Sequence, residues 1–334
     1  MKAVVLEAFG GPEVLKIGDV APPAPGPGQV LIQVAASSVN RPDILQRQGR
    51  YPPPAGESDI LGLEIAGTIA ELGSGVHGFS VGEAVLALVG GGGYAELATA
   101  HAGHVLRKPA TMSFAQAACV SETYITAYMN LFLGARLAPG ESVLIHGGGG
   151  GVGTAAIQLC KALNPTGPIF ATASPAKVAR VAALGVHRVI DYTSEDFAAV
   201  VLAATGERGV DVILDHVGAS YLAPNLKALA VNGRLAVIAT MGGREATLDL
   251  GRLMVKRQAI LGSVLRPRPI AEKAAIIAAF ERNVMPLFAS GQIAPIIHAV
   301  YPIEAVADAH RTMEASAHFG KMVLTFEPPG RDSP

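Results

Sequence analysis

The chain has 334 residues, with 26 basic against 27 acidic side chains and a formal net charge of −1. Half of the residues are hydrophobic and 16% are charged, which supplies material for buried cores and excludes a disordered or fibrous chain. The balanced charge gives no general pull toward nucleic acid or an anionic membrane surface. At roughly 150 residues per domain the length suggests two domains, and no charge-free apolar run reaches the ~18 residues of a membrane span. The opening MKAVVLEAFGG meets Glu7 within a strand-like alternation, unlike the apolar stretch of a signal peptide. Two cysteines, Cys119 and Cys160, cannot build a disulfide framework or a multi-cysteine metal site. A soluble, cytoplasmic globular protein is expected.

The first 120 residues read as short strands separated by Gly/Pro punctuation: KAVVLEAF, then VLIQVAASSV after the turn-rich PPAPGPGQ, then LEIAGTIAEL and GEAVLALV. This predicts an irregular β-rich domain with little helix. From ESVLIH onward the pattern changes to apolar strands alternating with helices: SVLIH and TAAIQLCKAL, PIFATAS and AKVARVAAL, RVIDY, VDVILDHV and a helical LKALA, RLAVIAT. Such alternation predicts βαβ units and a parallel sheet covered on both faces. Residues 121–266 therefore form the expected second domain. Residues 267–334 carry a helix over AEKAAIIAAFERNVMPLFAS, the segment APIIHAVYP, a helix from Ile303 to Glu314 and a last strand GKMVLTFE, which would return to the first domain. The end, FEPPGRDSP, is expected to fray.

The most informative segment is ESVLIHGGGGGVGTAAIQLCKAL. Gly148, Gly150 and Gly153 satisfy G-x-G-x-x-G after a strand and before a helix, with Gly151 and Val152 in the same turn. The first glycine permits a tight turn, the second lets backbone approach a diphosphate, and the third allows close helix–strand packing. The helix N-terminus then offers unpaired N–H groups to the phosphates. Dinucleotide binding is expected. At the end of the second strand, where NAD-binding sheets place an acid on the ribose 2′-hydroxyl, the chain reads Thr172, Ala173, Ser174, Pro175, Ala176, Lys177, and the next acid is Asp191. The missing carboxylate removes repulsion against a 2′-phosphate, and Ser174 and Lys177 can bind one, so NADPH is expected rather than NADH. The same residues also describe a helix cap: Ser at the N-cap, Pro next and a solvated lysine in the first turn.

The ordered set GGPEVL, SSVNRPDILQRQGRYPPP, LGLEIAGTIAELG, VLIHGGGGGVGTAAIQL, VILDHVGASY and GKMVL resembles the zinc-independent medium-chain dehydrogenase/reductases. Within them it is most similar to the quinone oxidoreductases related to zeta-crystallin, and NRPDILQRQGRYPPP with LGLE is close to the tumour-suppressor-inducible subgroup. The resemblance implies an α/β chain: a GroES-like β-rich substrate domain built from both chain ends around a Rossmann domain with a doubly wound parallel sheet. It also implies a homodimer or homotetramer, NADPH and substrate between the domains, and reduction of quinones or related electron-poor carbonyl compounds. Where zinc alcohol dehydrogenases hold their catalytic metal, this chain places Asn40, Leu63 and Glu122. Leu63 cannot coordinate, so no metal site is expected.

The resemblance makes Asn40 and Tyr51 the candidates to face the nicotinamide and hydrogen-bond a quinone oxygen as it gains charge. Asn40 also reads as an N-cap before Arg41-Pro42-Asp43, and Asp43 as a residue that fixes this turn. For the cofactor the resemblance implies Thr126 on the nicotinamide side and Ser174, Lys177 and Tyr192 at the 2′-phosphate. It further implies Val217, Gly218, Thr240 and Met241 around the nicotinamide ribose, and Lys321 closing over the cofactor. His146 reads as a packed strand-end histidine, His101, His104, His310 and His318 lack metal spacing, and both cysteines read as buried and inert. Two alternatives to quinone reduction remain. One is reduction of a C=C bond in enones or enoyl thioesters, which needs a proton at carbon and so leans on Tyr51. The other is a non-enzymatic NADPH-loaded structural or RNA-binding protein, for which 5% aromatic residues and no tryptophan offer little.

Overall fold

The computed structural model describes residues 1–326. Beyond Phe326, the expected frayed end lies outside the described residues. The chain divides into two compact units, Met1–Ile125 with the stretch from Leu265 onward, and Thr126–Val264. The divides fall a few residues from the composition changes near 120 and 266.

In the first unit the strands are β1 (Lys2–Leu6), β2 (Leu15–Asp19), β3 (Gln29–Ser38), β4 (Glu64–Leu72), β5 (Ala84–Leu88), β6 (Leu97–His101) and β7 (Val105–Arg107). The second unit carries β8 (Val143–Ile145), β9 (Ile169–Ala173), β10 (Arg188–Asp191), β11 (Val210–Asp215), β12 (Leu229–Val237) and β13 (Ala259–Gly262). The returning chain adds β14 (Ile297–Pro302) and β15 (Lys321–Thr325). Helices α1 (Arg41–Arg47), α2 (Phe114–Ala117) and α3 (Thr123–Tyr128) precede β8. Between and after the strands of the second unit come α4 (Gly151–Leu163), α5 (Pro175–Ala182), α6 (Phe197–Ala204), α7 (Leu222–Ala228) and α8 (Leu250–Val255). The last two, α9 (Ile270–Ala289) and α10 (Val306–Glu314), belong to the return.

The first unit holds a two-stranded β1-β2 sheet and a seven-stranded sheet with β6 paired to β3, and the order β14-β15-β3-β4-β5-β7 makes β15, the last described strand, an interior one. β15 runs antiparallel to β3 with Val323 opposite Ser38, which carries Lys321 to the same end of the sheet as Asn40. Alternation explains the core: Val30, Ile32 and Val34 of β3 pack with Ile65 and Ile69 of β4 and Val85 and Ala87 of β5. A second cluster joins Val4, Val39, Ile44 and Leu61 to Met313, Met322 and Leu324, so the chain's two ends share one core.

The second unit is a six-stranded, wholly parallel sheet of order β10-β9-β8-β11-β12-β13. Every residue of β8 and β9 is buried, as continuous apolar runs in a two-sided sheet require. The order reverses between β8 and β11, and ligands of open α/β sheets bind at the carboxyl ends of the strands at this point. β12 begins five residues earlier than RLAVIAT suggests, because a register shift beside Asn232 (φ 60°) and Gly233 lets Leu229 pair with Val210 before Arg234 pairs with Val212. Helix α6 and strand β13 have only weak period in the sequence. Among the described residues no helix is long and apolar enough to cross a membrane.

Met322 is fully buried in the core shared by the two chain ends. Met322→Ala should lower unfolding stability by about 2–5 kcal/mol in urea or guanidinium titration; a loss below about 0.5 kcal/mol would show that β15 is dispensable to that core.

Candidate functional site

In the second unit the glycine loop follows β8 directly. The left-handed residue that turns the chain is Gly147 (φ 60°), not Gly148 as the motif reading expects. A Cβ at Gly147 would sit 2.3 Å from Cε1 of His216, so the position is restricted by dihedral and by space together. Gly153 is fixed by packing, since a Cβ there would lie 2.2 Å from the Gly147 carbonyl oxygen. Gly150 is different. As N-cap of α4 it has φ −84°, and among the described residues beyond its chain neighbours its missing Cβ meets just the Gly147 oxygen, at 3.4 Å. A glycine that neither backbone nor packing demands fits a cradle that a side chain would narrow for a diphosphate. Thr154 N–H bonds four residues back, to Gly150, so among the described residues the amides of Gly151, Val152 and Gly153 are left as the free donors of the helix end.

The strand ends bring together the other expected cofactor contacts of this unit. Ser174 caps α5 with Pro175 next, and Lys177 N–H donates to its carbonyl. Tyr192, half exposed, leaves β10 beside Ala173. Ser174, Lys177 and Tyr192 therefore cluster past the ends of β9 and β10, with no carboxylate at the tip of β9. After β11, Met241 N–H donates to the His216 carbonyl and Gly242 N–H to that of Val217, which sets Thr240 and Met241 against Val217 and Gly218. Gly218 has φ 84°, and a Cβ there would meet the Gly243 oxygen at 2.8 Å. Thr126 opens this unit with its Oγ1 buried and unpaired among the described residues, a polar atom awaiting a partner. These features fit a nicotinamide dinucleotide. Burial holds His146 neutral, its pKa lowered to about 3, so it is no base at physiological pH.

In the first unit the polar centre is a buried cluster around Glu64. Its Oε1 accepts from Ser38 Oγ at 2.5 Å, Asn40 Nδ2 at 2.9 Å and Lys321 Nζ at 3.0 Å, and its Oε2 accepts from the Glu122 amide at 2.7 Å. Lys321 Nζ also donates to Asn40 Oδ1 at 2.6 Å and to the Val39 carbonyl at 2.9 Å, so all three ammonium protons are used. Lys321 was expected to close over the cofactor. It is 3% exposed, with its ammonium turned into its own unit. Asn40 is indeed the residue before α1, but its amide serves this cluster on both sides rather than standing free. Asp43 fixes the turn as expected, accepting from the amides of Asn40 and Gly62 and from the Tyr94 hydroxyl. Burial pushes its carboxyl up to about 6 against those donors. His310, given no role by its spacing, links Tyr94 to Arg47, which pairs with Glu314.

Tyr51 is half-buried beneath the Arg266 guanidinium, which lies 5.4 Å from its ring centroid. Arg266 is held by the Gly90 carbonyl at 2.7 Å and Gln46 Oε1 at 2.8 Å. Burial and the neighbouring Glu122 charge raise the phenol, and the guanidinium partly opposes them. Glu122 itself is pushed up to about 8, chiefly by burial and then by the charge of Glu64. It holds a proton at neutral pH. Sequence reading singled out neither Glu64 nor Arg266. The first lies inside the quoted LGLE, and the second carries no local signal.

Two family models match the chain: "Alcohol dehydrogenase GroES-like domain" over residues 26–110 and "Zinc-binding dehydrogenase" over residues 184–324. Among curated relatives, quinone oxidoreductase of Lama guanicoe is 34% identical over 98% of this chain and 98% of its own. The synaptic vesicle membrane protein VAT-1 homolog of Rattus norvegicus is 32% identical over 98% of this chain and 85% of its own. The chain belongs to the medium-chain dehydrogenase/reductases. Solved structures of this fold include an NAD-dependent alcohol dehydrogenase (TM-score 0.86, 31% identity, 98% of this chain and 100% of that one). Others are a quinone oxidoreductase of Pseudomonas syringae pv. Tomato DC3000 (0.86, 30%, 97% and 99%) and the CurK enoyl reductase (0.85, 27%, 97% and 98%). The chain is thus an oxidoreductase of this family with the GroES-like and Rossmann units expected.

The positions that the sequence resemblance sets against the catalytic zinc ligands are Asn40, Leu63 and Glu122. Leu63 has no donor atom, the Asn40 amide is committed to Lys321 and Glu64, and the ammonium beside it repels a second cation. These residues do not fit a zinc ion. Among the described residues no group of three or more His, Cys, Asp or Glu is placed to hold a metal. Cys119 and Cys160 are buried, and burial raises both thiols, Cys160 to about 12.

Because the folded Glu122 carboxyl titrates near 8 against an ordinary 4.5, the unfolded chain releases this proton first as pH rises. The stabilising preference for the protonated form is present below about 4.5 and is lost through about 8. Glu122→Gln should therefore gain melting temperature relative to the parent chain between pH 5 and 8.5. Parallel melting curves for both proteins across that range would show that Glu122 is ionised when folded.

Proposed function

We propose that the chain is an NADPH-dependent quinone oxidoreductase that transfers hydride without a metal ion. The observation that carries this reading is the buried Lys321 ammonium, fixed by Asn40, Val39 and Glu64, beside positions that offer zinc too few ligands. Without a Lewis acid an ordinary alcohol is not readily ionised, whereas a quinone already accepts hydride readily. Bound NADPH supplies that hydride.

The chain's own residues do the rest. Amides of Gly151, Val152 and Gly153, reached across Gly148 and Gly150, hold the diphosphate at the positive end of α4. Ser174, Lys177 and Tyr192 receive the 2′-phosphate, where an acid would repel it. Thr126, Val217, Gly218, Thr240 and Met241 line the nicotinamide side. Tyr51, oriented by Arg266, donates a hydrogen bond to a substrate oxygen, and the protonated Glu122 carboxyl is the proton store. Asn40 orients this end of the unit through its amide instead of meeting the substrate alone. The reading includes a cytoplasmic location and a homo-oligomer, supported by β13, an edge strand on which Ile260 stays 38% exposed.

A C=C reductase is the second reading, favoured by Glu122. An enone or enoyl thioester needs a proton at carbon, and a carboxyl still protonated near pH 7 is a source. NADPH oxidation followed with a quinone and with an enoyl thioester separates the two: a faster quinone reaction is expected, and a large excess for the thioester would reverse the assignment. Activity should survive exhaustive chelation, and chelator-sensitive turnover would overturn the metal-free mechanism. Lys177→Ala should raise the Kd for NADPH about tenfold or more and that for NADH less than about threefold. Equal losses would remove the 2′-phosphate assignment.

A further inference from the structure

At the switch point of the parallel sheet, the glycine loop after β8 and the loop after β11 are joined by an unbroken buried chain of hydrogen bonds. Gly147 N–H and Thr172 Oγ1 are 3.1 Å apart, and Thr172 Oγ1 and His146 Nδ1 3.2 Å. On its other side His146 Nε2 lies 2.7 Å from Asn225 Oδ1, and Asn225 Nδ2 donates to Asp215 Oδ2 at 3.2 Å. Asp215 closes the chain by accepting from the amides of Val217 at 2.7 Å and Gly218 at 3.1 Å. His146, Thr172, Asn225 and Asp215 are each at most 1% exposed.

Chemistry fixes the direction of every bond. The Asp215 carboxylate only accepts, so the Asn225 NH₂ must face it and the Asn225 oxygen must face His146. The imidazole then carries its proton on Nε2 and accepts at Nδ1. The Thr172 hydroxyl donates to Nδ1 and accepts from Gly147 N–H. One anion at one loop thus sets the polarity seen by the backbone of the other. The imidazole has no room to turn, because it meets the rings of Phe197 and Tyr221 edge-on at centroid distances of 4.8 Å each. The two loops also touch directly, Gly147 against the His216 ring.

We propose that His146 is a positioning residue that couples the diphosphate-binding glycine loop to the loop carrying Val217 and Gly218, so that filling one wall of the nucleotide site orders the other. This rests on the nucleotide reading given above. The coupling runs through Thr172, His146, Asn225 and Asp215, none of which needs to touch the nucleotide. Loss of one link leaves buried polar groups unpaired and lets the loops settle independently.

The test uses Thr172→Val, which keeps the side-chain shape and removes the hydroxyl, and Thr172→Ser, which restores it. The probe is 2′-phospho-ADP, which ends at the diphosphate, and the readout is amide hydrogen exchange of the purified full chain. In the parent chain and Thr172→Ser, the probe should slow exchange at residues 147–153 and also at 217–218. In Thr172→Val it should protect 147–153 alone, with its own Kd changed less than about threefold while the Kd for NADPH rises roughly tenfold. Equal protection of 217–218 in Thr172→Val and the parent overturns the coupling and leaves the nucleotide site standing. Failure of the probe to protect any segment of the parent chain overturns the nucleotide reading and the coupling with it. His146→Leu provides a second cut of the same chain and should match Thr172→Val; parent-like coupling in that variant also overturns the proposal.

Discussion

The first unit is organised around one buried ion pair, the Lys321 ammonium 3.0 Å from the Glu64 carboxylate. Two charges taken out of water at this depth cost several kcal/mol each unless every lone pair and proton is used. Here they are. Glu64 takes donors from Ser38, Asn40, Lys321 and the Glu122 amide, and Lys321 spends its three protons on Glu64, Asn40 and Val39. The pair ties β15 to β3 and β4 and orients Asn40, while burial, followed by the Glu64 charge, keeps the proton on Glu122. A built-in monovalent cation with fixed partners thus stands at this end of the unit, and the metal-free reading proposed above rests on it.

At the switch point of the second unit the buried hydrogen-bonded chain carries one carboxylate and no ion pair. Its buried polar groups form a line of neutral donors and acceptors ending on Asp215, and the line holds two loops at the sheet's switch point. The sheet supplies a rigid frame: parallel strands buried on both faces leave loop geometry to a few hydrogen bonds at their ends. That division explains why glycine is needed at Gly147 and Gly153 for close packing, while Gly150 is left open toward the ligand side.

Much of this was legible in the order of the residues. The glycine loop, the switch in period near residue 120 and the return of GKMVL are local patterns, and most strands and helices, α6 and β13 excepted, are specified by neighbours a few positions away. The proposal of NADPH over NADH likewise rests on adjacent residues at the end of β9. Roles that depend on what a side chain faces were not legible. Asn40 has the same neighbours in sequence whether its amide is free or spent, and Lys321 carries no sign of burial. Glu122 reads only as a failed metal ligand until Glu64 and a closed environment raise its pKa.

The sequence alone determined the two-unit architecture and the parallel nucleotide-binding sheet, because periodicity and glycine spacing are properties of contiguous segments. Only the tertiary structure decided which polar groups meet: Lys321 with Asn40, 281 residues apart, and His146 with Asn225, 79 residues apart. Pairing at such separations is set by strand order and register, and neither is encoded near the residues that pair.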